Sequence, residues 1–157
     1  AVNFNCPGQI VIAGHVDAVQ RVVKLAQAQG ARRAVLLEVS APFHSSLLAP
    51  AAQRLAKAMA AVEIHPARIP VVANVSAAYV RQPEEIRTAL IRQVASPVLW
   101  EDSMRLLLRD GYTAYVEVGP GKVLQGFMKR IARGTWIRSV EDEASLHQLL
   151  ASLEEVC

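Results

Sequence analysis

Short apolar runs alternate along this chain with segments whose apolar residues recur every three or four positions. That alternation predicts strands interleaved with helices, an α/β chain. Strands are expected at residues 9–13, closed by Gly14, and at residues 34–39, 69–76, 114–118 and 135–140. Helices are expected at residues 17–29, 46–62, 83–95, 99–109, 123–132 and 143–155. In the first of these, Val19, Val22, Val23 and Ala26 share a face, and Gly30 stands where a C-terminal cap belongs. The second has Leu48, Ala51, Leu55, Ala58 and Met59 on its inner side, with Pro50 in the first turn, where a missing N–H costs little. Pro83-Glu84-Glu85 opens the third with acidic residues at the positive end of the helix, and Ser96-Pro97 breaks it. Asp110-Gly111 ends the fourth; Leu124, Phe127, Met128 and Ile131 form a stripe on the fifth, and Leu146, Leu149, Leu150 and Leu153 on the last. These stripes read as core faces, and no internal repeat or low-complexity linker interrupts the pattern.

Composition sharpens this picture only modestly. The chain has 157 residues, 52% hydrophobic and 20% charged, enough apolar matter for one packed domain or slightly more, and too much for a disordered segment. No apolar run is long enough to span a bilayer, and no basic segment followed by an apolar stretch opens the sequence as a secretory signal does. The start at Ala1, without methionine, fits a processed or truncated product. Cys6 and Cys157 lie at opposite ends without metal-ligand spacing and read as free thiols in a reducing compartment. The sequon Asn74-Val75-Ser76 is then accidental. A net charge of +3 is mild, and its densest groups, Arg32-Arg33 and the Lys129, Arg130, Arg133 run, read first as solvated faces. Attraction of an acidic protein or a phosphorylated small molecule is the second reading. With 5% aromatic residues there is no stacking platform for nucleic acid.

Among the histidines, His15, His65 and His147 read as surface or capping residues. His44 differs, because Val39-Ser40-Ala41-Pro42-Phe43-His44-Ser45 places it in a turn between an apolar run and a helix, where a side chain can point into a cleft. A catalytic imidazole needs a nucleophile within hydrogen-bond reach and a group that fixes its other ring nitrogen. Local sequence supplies neither, and no Gly-x-Ser-x-Gly elbow occurs in the chain. Gly119-Pro120-Gly121-Lys122 follows a strand and opens a helix, which invites a phosphate-binding reading. It lacks the full phosphate-loop spacing, so a tight structural turn is preferred. No carboxylate pair or His/Cys cluster has glycosidase or metal-site spacing.

Three separated segments carry a resemblance. They are Asn3-Phe4-Asn5-Cys6-Pro7-Gly8-Gln9-Ile10-Val11-Ile12-Ala13-Gly14, the His44 segment, and Val116-Glu117-Val118-Gly119-Pro120-Gly121-Lys122-Val123-Leu124. Together with Arg92-Gln93-Val94 and Ser96-Pro97-Val98-Leu99-Trp100, and in this order, the sequence resembles the C-terminal half of the malonyl-CoA:acyl carrier protein transacylases of bacterial fatty-acid synthesis. The resemblance implies an α/β-hydrolase-like large subdomain with a small ferredoxin-like subdomain inserted. Residues 1–40 would complete the small subdomain, and residues 41–157 would form the C-terminal part of the large one.

The resemblance also implies two-step acyl transfer. A serine attacks the malonyl thioester, and the phosphopantetheine thiol of acyl carrier protein then takes the malonyl group. His44 matches the catalytic histidine, and Gln93 matches the residue whose backbone carbonyl holds the other imidazole nitrogen. Phe43, Asn5, Gln9 and Asn74 match positions near the substrate cleft, although for Asn5 and Gln9 plain loop hydrogen bonding is an equal reading. A bulky Phe43 goes with malonyl in related acyltransferase domains, because its ring leaves no room for an α-methyl branch. The family's serine, its carboxylate-binding arginine and its oxyanion loop would all lie upstream of Ala1. The expectation is therefore a cytoplasmic enzyme fragment, inactive alone, that needs no metal or bound cofactor. Its partners would be malonyl-CoA, acyl carrier protein and the missing N-terminal half. The alternatives are a catalytically silent module that docks acyl carrier protein, for which the positive charge would be suited, and the tail of a polyketide synthase acyltransferase domain.

Overall fold

Strand, glycine turn, helix and strand follow one another between residues 114 and 140, and this run carries the core. In the computed structural model, which describes residues 1–153, β5 (Ala114–Val118) and β6 (Trp136–Val140) pair in parallel from Ala114↔Trp136 to Val118↔Val140. A parallel pair needs a crossover, and α5 (Val123–Ile131) supplies it. Met128 on α5, Ile137 on β6 and Met104 on α4 (Trp100–Arg109) form the buried cluster, with Trp100, Leu107, Leu108, Tyr115 and Ile131 packed around it. Met128 is only 1% exposed, so the predicted stripe on this helix does face a core. The opposite face of β5 is different. Val116 is outward, and Val118 is 81% exposed, although strands of parallel sheets are normally apolar because both faces are covered.

At the other end, β1 (Asn3–Cys6) and β2 (Gln9–Val11) make an antiparallel hairpin whose turn residues are Pro7 and Gly8. Gly8 takes φ 74°, a left-handed value that a side chain would resist. The Arg130 guanidinium donates to the Pro7 carbonyl at 2.7 Å and so fastens this hairpin to α5. Val98 adds to the other side: Phe4 N–H donates to its carbonyl at 2.9 Å, and its own N–H donates to Val2 at 2.8 Å. Helix α1 (Val16–Ala28) follows and ends as expected. Gly30 at φ 86° donates to Gln27, and Ala31 donates to Ala26, the paired bonds of a glycine-terminated helix.

Several expectations need correction. Residues 34–39 form no strand, since nothing among the described residues pairs with them. Val35, Leu36, Leu37 and Val39 are all more than half exposed. A strand is a pairing and not a composition, and the run has strand chemistry without a ladder. The α1 stripe is incomplete for the same reason: Val22 is exposed, and no residue of the helix is buried. On α6 (Glu143–Ser152), Leu146 and Leu150 face solvent, as does Leu153 just beyond it, so of the four leucines of the predicted stripe Leu149 alone is half-buried. Residues 154–157, with the end of the expected last helix and Cys157, lie outside the described residues.

The strand expected at 69–76 is instead a hairpin, β3 (Val71–Ala73) and β4 (Ala78–Val80), in register Val71↔Val80. Its turn lacks glycine and takes Ala77 to φ 48°, so the usual signal was missing. The segment expected as one helix from 46 to 62 divides into a 3-10 turn, Ser46–Leu48, and α2 (Ala49–Met59), with Ala58 outward. Likewise α3 (Pro83–Arg92) tightens into a 3-10 turn at Gln93–Ala95. That tightening bears directly on the site.

Candidate active site

The turn before α2 bends the chain so that an imidazole meets a carbonyl. Phe43 N–H donates to Ala41 at 2.9 Å, and the Ser45 hydroxyl donates to Pro42 at 2.7 Å. Between them, His44 sits at φ 61°. Left-handed backbone is costly for a residue with a side chain, and such strain persists only where the surroundings over-determine it. Here one determinant is visible: His44 Nδ1 lies 2.9 Å from the Gln93 carbonyl oxygen, 49 positions away in sequence.

A carbonyl oxygen only accepts, so the nitrogen facing it carries the proton. In the neutral ring this leaves Nε2 as the bare, basic nitrogen, on the side away from Gln93. A carbonyl fixes the tautomer and the ring's orientation without placing a full negative charge behind it. The acceptor is available for a local reason. An α-helix would close its next turn onto Gln93 with the N–H of residue 97, and Pro97 has none. Sequence reading took Ser96-Pro97 as a helix breaker. Its further effect, freeing an acceptor for His44, needed the fold.

Among the described residues, neither a serine hydroxyl nor a cysteine thiol is hydrogen-bonded to His44 Nε2. The buried Ser103 hydroxyl is engaged with the Leu99 carbonyl at 2.7 Å. Cys6 is 2% exposed, and burial pushes its thiol pKa up, against the opposing pull of Arg130. Neither is an activated nucleophile.

The other candidates fall into two groups. Asn74 and Gln93 line one cavity of about 220 Å³ between the β3–β4 hairpin and α3, with Val72, Val80, Ile86 and Leu90 as apolar wall. Asn74 is held there by its own carbonyl, which accepts from Leu99 N–H at 2.8 Å. Asn5 and Gln9 instead occupy the β1–β2 hairpin, where the Gln9 side chain accepts a long bond from the Cys6 thiol, 3.8 Å. The structure brings neither into hydrogen bonding with His44. Phe43 adjoins His44 in the turn with half its surface in solvent.

The glycine turn after β5 proves occupied by protein carboxylates. Glu117 accepts from Leu124 N–H at 2.9 Å and Gln125 N–H at 2.8 Å, so both its oxygens close the start of α5. Glu141 accepts from Gly121 N–H at 2.9 Å. Gly119 and Gly121 take φ 131° and 89° to make the bend. This is the structural turn that was expected, with anions already on the amides that a phosphate would need. No group of three or more His, Cys, Asp or Glu side chains converges as a metal site would among the described residues. No described helix is long and apolar enough to cross a membrane.

Comparison with known proteins extends these observations. The family described as the acyl transferase domain matches residues 2–153. The malonyl CoA-acyl carrier protein transacylase of Bacillus subtilis is 42% identical over 153 residues, 98% of this chain and 48% of that protein. The crystal structure of the acyl-carrier-protein S-malonyltransferase of Burkholderia pseudomallei superposes with a TM-score of 0.93 at 46% identity, over 96% of this chain and 49% of the other. A malonyl-transacylase solved in complex with its type II polyketide acyl-carrier protein matches at 42% identity and a TM-score of 0.93, over 96% and 49% of the two chains. The chain thus spans about half the length of the curated relatives it matches.

Proposed function

The chain belongs to the acyl transferase domain family, and from that premise we propose that it provides the histidine side of an active site that moves a malonyl group from coenzyme A to the phosphopantetheine thiol of acyl carrier protein. The observation that carries this reading is the His44 Nδ1–Gln93 bond of 2.9 Å, which leaves a bare Nε2 with no partner hydroxyl among the described residues. The nucleophilic serine comes from polypeptide beyond these 157 residues, in line with the half-length match and the absent elbow.

In this mechanism His44 Nε2 takes the serine proton as the hydroxyl attacks the malonyl thioester carbonyl. Collapse of the tetrahedral intermediate expels coenzyme A, whose sulfur leaves with the proton that the imidazolium returns. The carrier-protein thiol then gives its proton to Nε2 and attacks the malonyl-serine ester. Collapse restores the serine with that same proton. The Gln93 carbonyl keeps the ring aligned in both halves and receives a stronger hydrogen bond from Nδ1–H whenever the ring is cationic. Each step moves an acyl group between oxygen and sulfur, so the chemistry calls for no redox group or metal.

Phe43, Asn5, Gln9 and Asn74 serve the substrate: Phe43 by excluding an α-methyl branch, Asn74 from the cavity it shares with Gln93. Residues 1–40 complete a small ferredoxin-like subdomain, and residues 41–157 belong to the large hydrolase-like one. The exposed Val116 and Val118 face of β5 and the unpaired apolar run at residues 34–39 are surfaces for the N-terminal half to cover. The enzyme works in the cytoplasm, and its acidic carrier-protein partner suits a chain of net charge +3. The test is to combine the chain with the N-terminal half of a related malonyl transacylase and follow malonyl transfer to carrier protein by mass spectrometry. Transfer that requires both halves and is lost in His44→Ala is the expected result. Transfer unaffected by His44→Ala would remove the histidine from the reaction.

A further inference from the structure

Given the acyl-transfer reading, on which this rests, we infer that Arg87 is a positioning residue for His44, acting by clamping the C-terminal end of α2 onto α3. The two partners of the site hang from different helices. His44 lies just before the 3-10 turn that leads into α2, and Gln93 directly follows α3. Their separation therefore depends on how α2 is seated against α3. At the near end, the seat is the contact of the two 3-10 turns and the imidazole–carbonyl bond itself. The two helices pack directly on each other, and at the far end Arg87 adds the hydrogen-bonded tie.

The Arg87 guanidinium reaches out of α3 to the last carbonyl of α2 and to one in the turn that follows it. Nη1 donates to the Met59 carbonyl, and Nη2 donates to the Val62 carbonyl at 3.0 Å. The Met59 carbonyl already accepts from Val62 N–H at 3.1 Å and has a second lone pair to offer, and a planar, permanently charged fork suits two carbonyls at once. Positive charge at this pole is also favourable to the helix dipole. The side chain is 22% exposed, and its Nε lies 3.7 Å from Glu84, which steadies it from its own helix. Among the described residues no other side-chain hydrogen bond joins α2 to α3.

The geometry makes the far end matter. α2 has 11 residues, a rod of about 16 Å. With this far-end tie released, α2 is free to tilt on α3, and because His44 leads directly into its first turn, the tilt carries to the ring. Shifts of about 1 Å at a reacting group can cost up to a hundredfold in rate.

The test reads the imidazole directly in the full chain, by long-range nitrogen–proton NMR of His44 in wild type, Arg87→Lys and Arg87→Met. Wild type should show Nδ1 at the protonated, donor position and Nε2 at the bare one. In Arg87→Met the two nitrogen shifts should converge as tautomers mix. Arg87→Lys, which keeps one charged donor, should lie between. If Arg87→Met fails to fold, the intermediate position of Arg87→Lys carries the test. A lowered unfolding midpoint with unchanged His44 nitrogen shifts would overturn the inference and leave Arg87 an ordinary helix cap. Failure of the acyl-transfer reading shows elsewhere, as malonyl transfer indifferent to His44→Ala, and leaves the NMR result intact.

Discussion

Replacing His44 by glycine and by alanine separates the cost of its backbone from the worth of its ring. At φ 61° an L residue pays about 1–2 kcal/mol for left-handed backbone. The half-buried bond from Nδ1–H to the Gln93 carbonyl returns about 1 kcal/mol. The two terms nearly cancel, so the histidine is held in place with little net gain in stability. His44→Ala loses the bond and keeps the strain, and should be less stable than wild type by about 1 kcal/mol. His44→Gly loses the bond but relieves the strain, with part of that relief offset by about 0.5–1 kcal/mol of extra chain entropy in the unfolded state. It should fall between wild type and His44→Ala, or match wild type. The assay is urea unfolding followed by far-UV circular dichroism. With a slope of about 2 kcal/mol per molar urea, a difference of 1 kcal/mol moves the midpoint by about 0.5 M. An alanine variant clearly more stable than the glycine variant would show that position 44 is not left-handed. A glycine variant destabilised by more than about 3 kcal/mol would make the ring a core strut, since that loss is of the size seen for large core truncations.

Two further outcomes follow from carboxylates on helix starts. Glu117→Ala removes both acceptors at the beginning of α5 and should cost about 1–3 kcal/mol, with Glu117→Gln intermediate because it keeps one; an unchanged urea midpoint for the alanine variant would refute it. Glu85 has its pKa lowered by the backbone N–H groups of Arg81 and then Gln82, and Asp142 has its own lowered by the Ser145 hydroxyl and then the Ser145 N–H. Groups depressed in the folded state stabilise it fully above their unfolded pKa values, about 4.3 and 3.9, and that contribution fades as pH falls through the lower folded values. The urea midpoint should therefore drop as pH falls below about 4, and a Glu85→Gln, Asp142→Asn double variant should show a shallower drop over the same range; an identical slope in both proteins would sink the assignment.

How far sequence carried depends on where the determinants lie. The Gly30 cap, Pro50 in the first turn of α2 and the β5–α5–β6 unit were legible because each is settled within a few residues. The β3–β4 turn was not, because Ala77 adopts a left-handed angle that nothing local announces. The pairing of His44 with Gln93 came from resemblance to a family, not from spacing, and the role of Pro97 as the residue that frees the acceptor became visible only with the carbonyl in place. Arg87 carried no signal in sequence beyond a charged helix position, since the carbonyls it joins lie 25 and 28 positions away.

By itself, the order of residues determined where helices lie along the chain, the glycine bends and the apolar stripes, since each reflects backbone sterics or a period of three to four along one segment. Tertiary structure alone decided which of those stripes became core. Met128 is buried because α4 and β6 close over it, whereas the equally apolar residues 34–39 remain open because strand pairing and burial require a second surface. It also decided that one imidazole, in a strained turn, would meet one carbonyl 49 positions away in sequence, a meeting that depends on how two helices lie against each other.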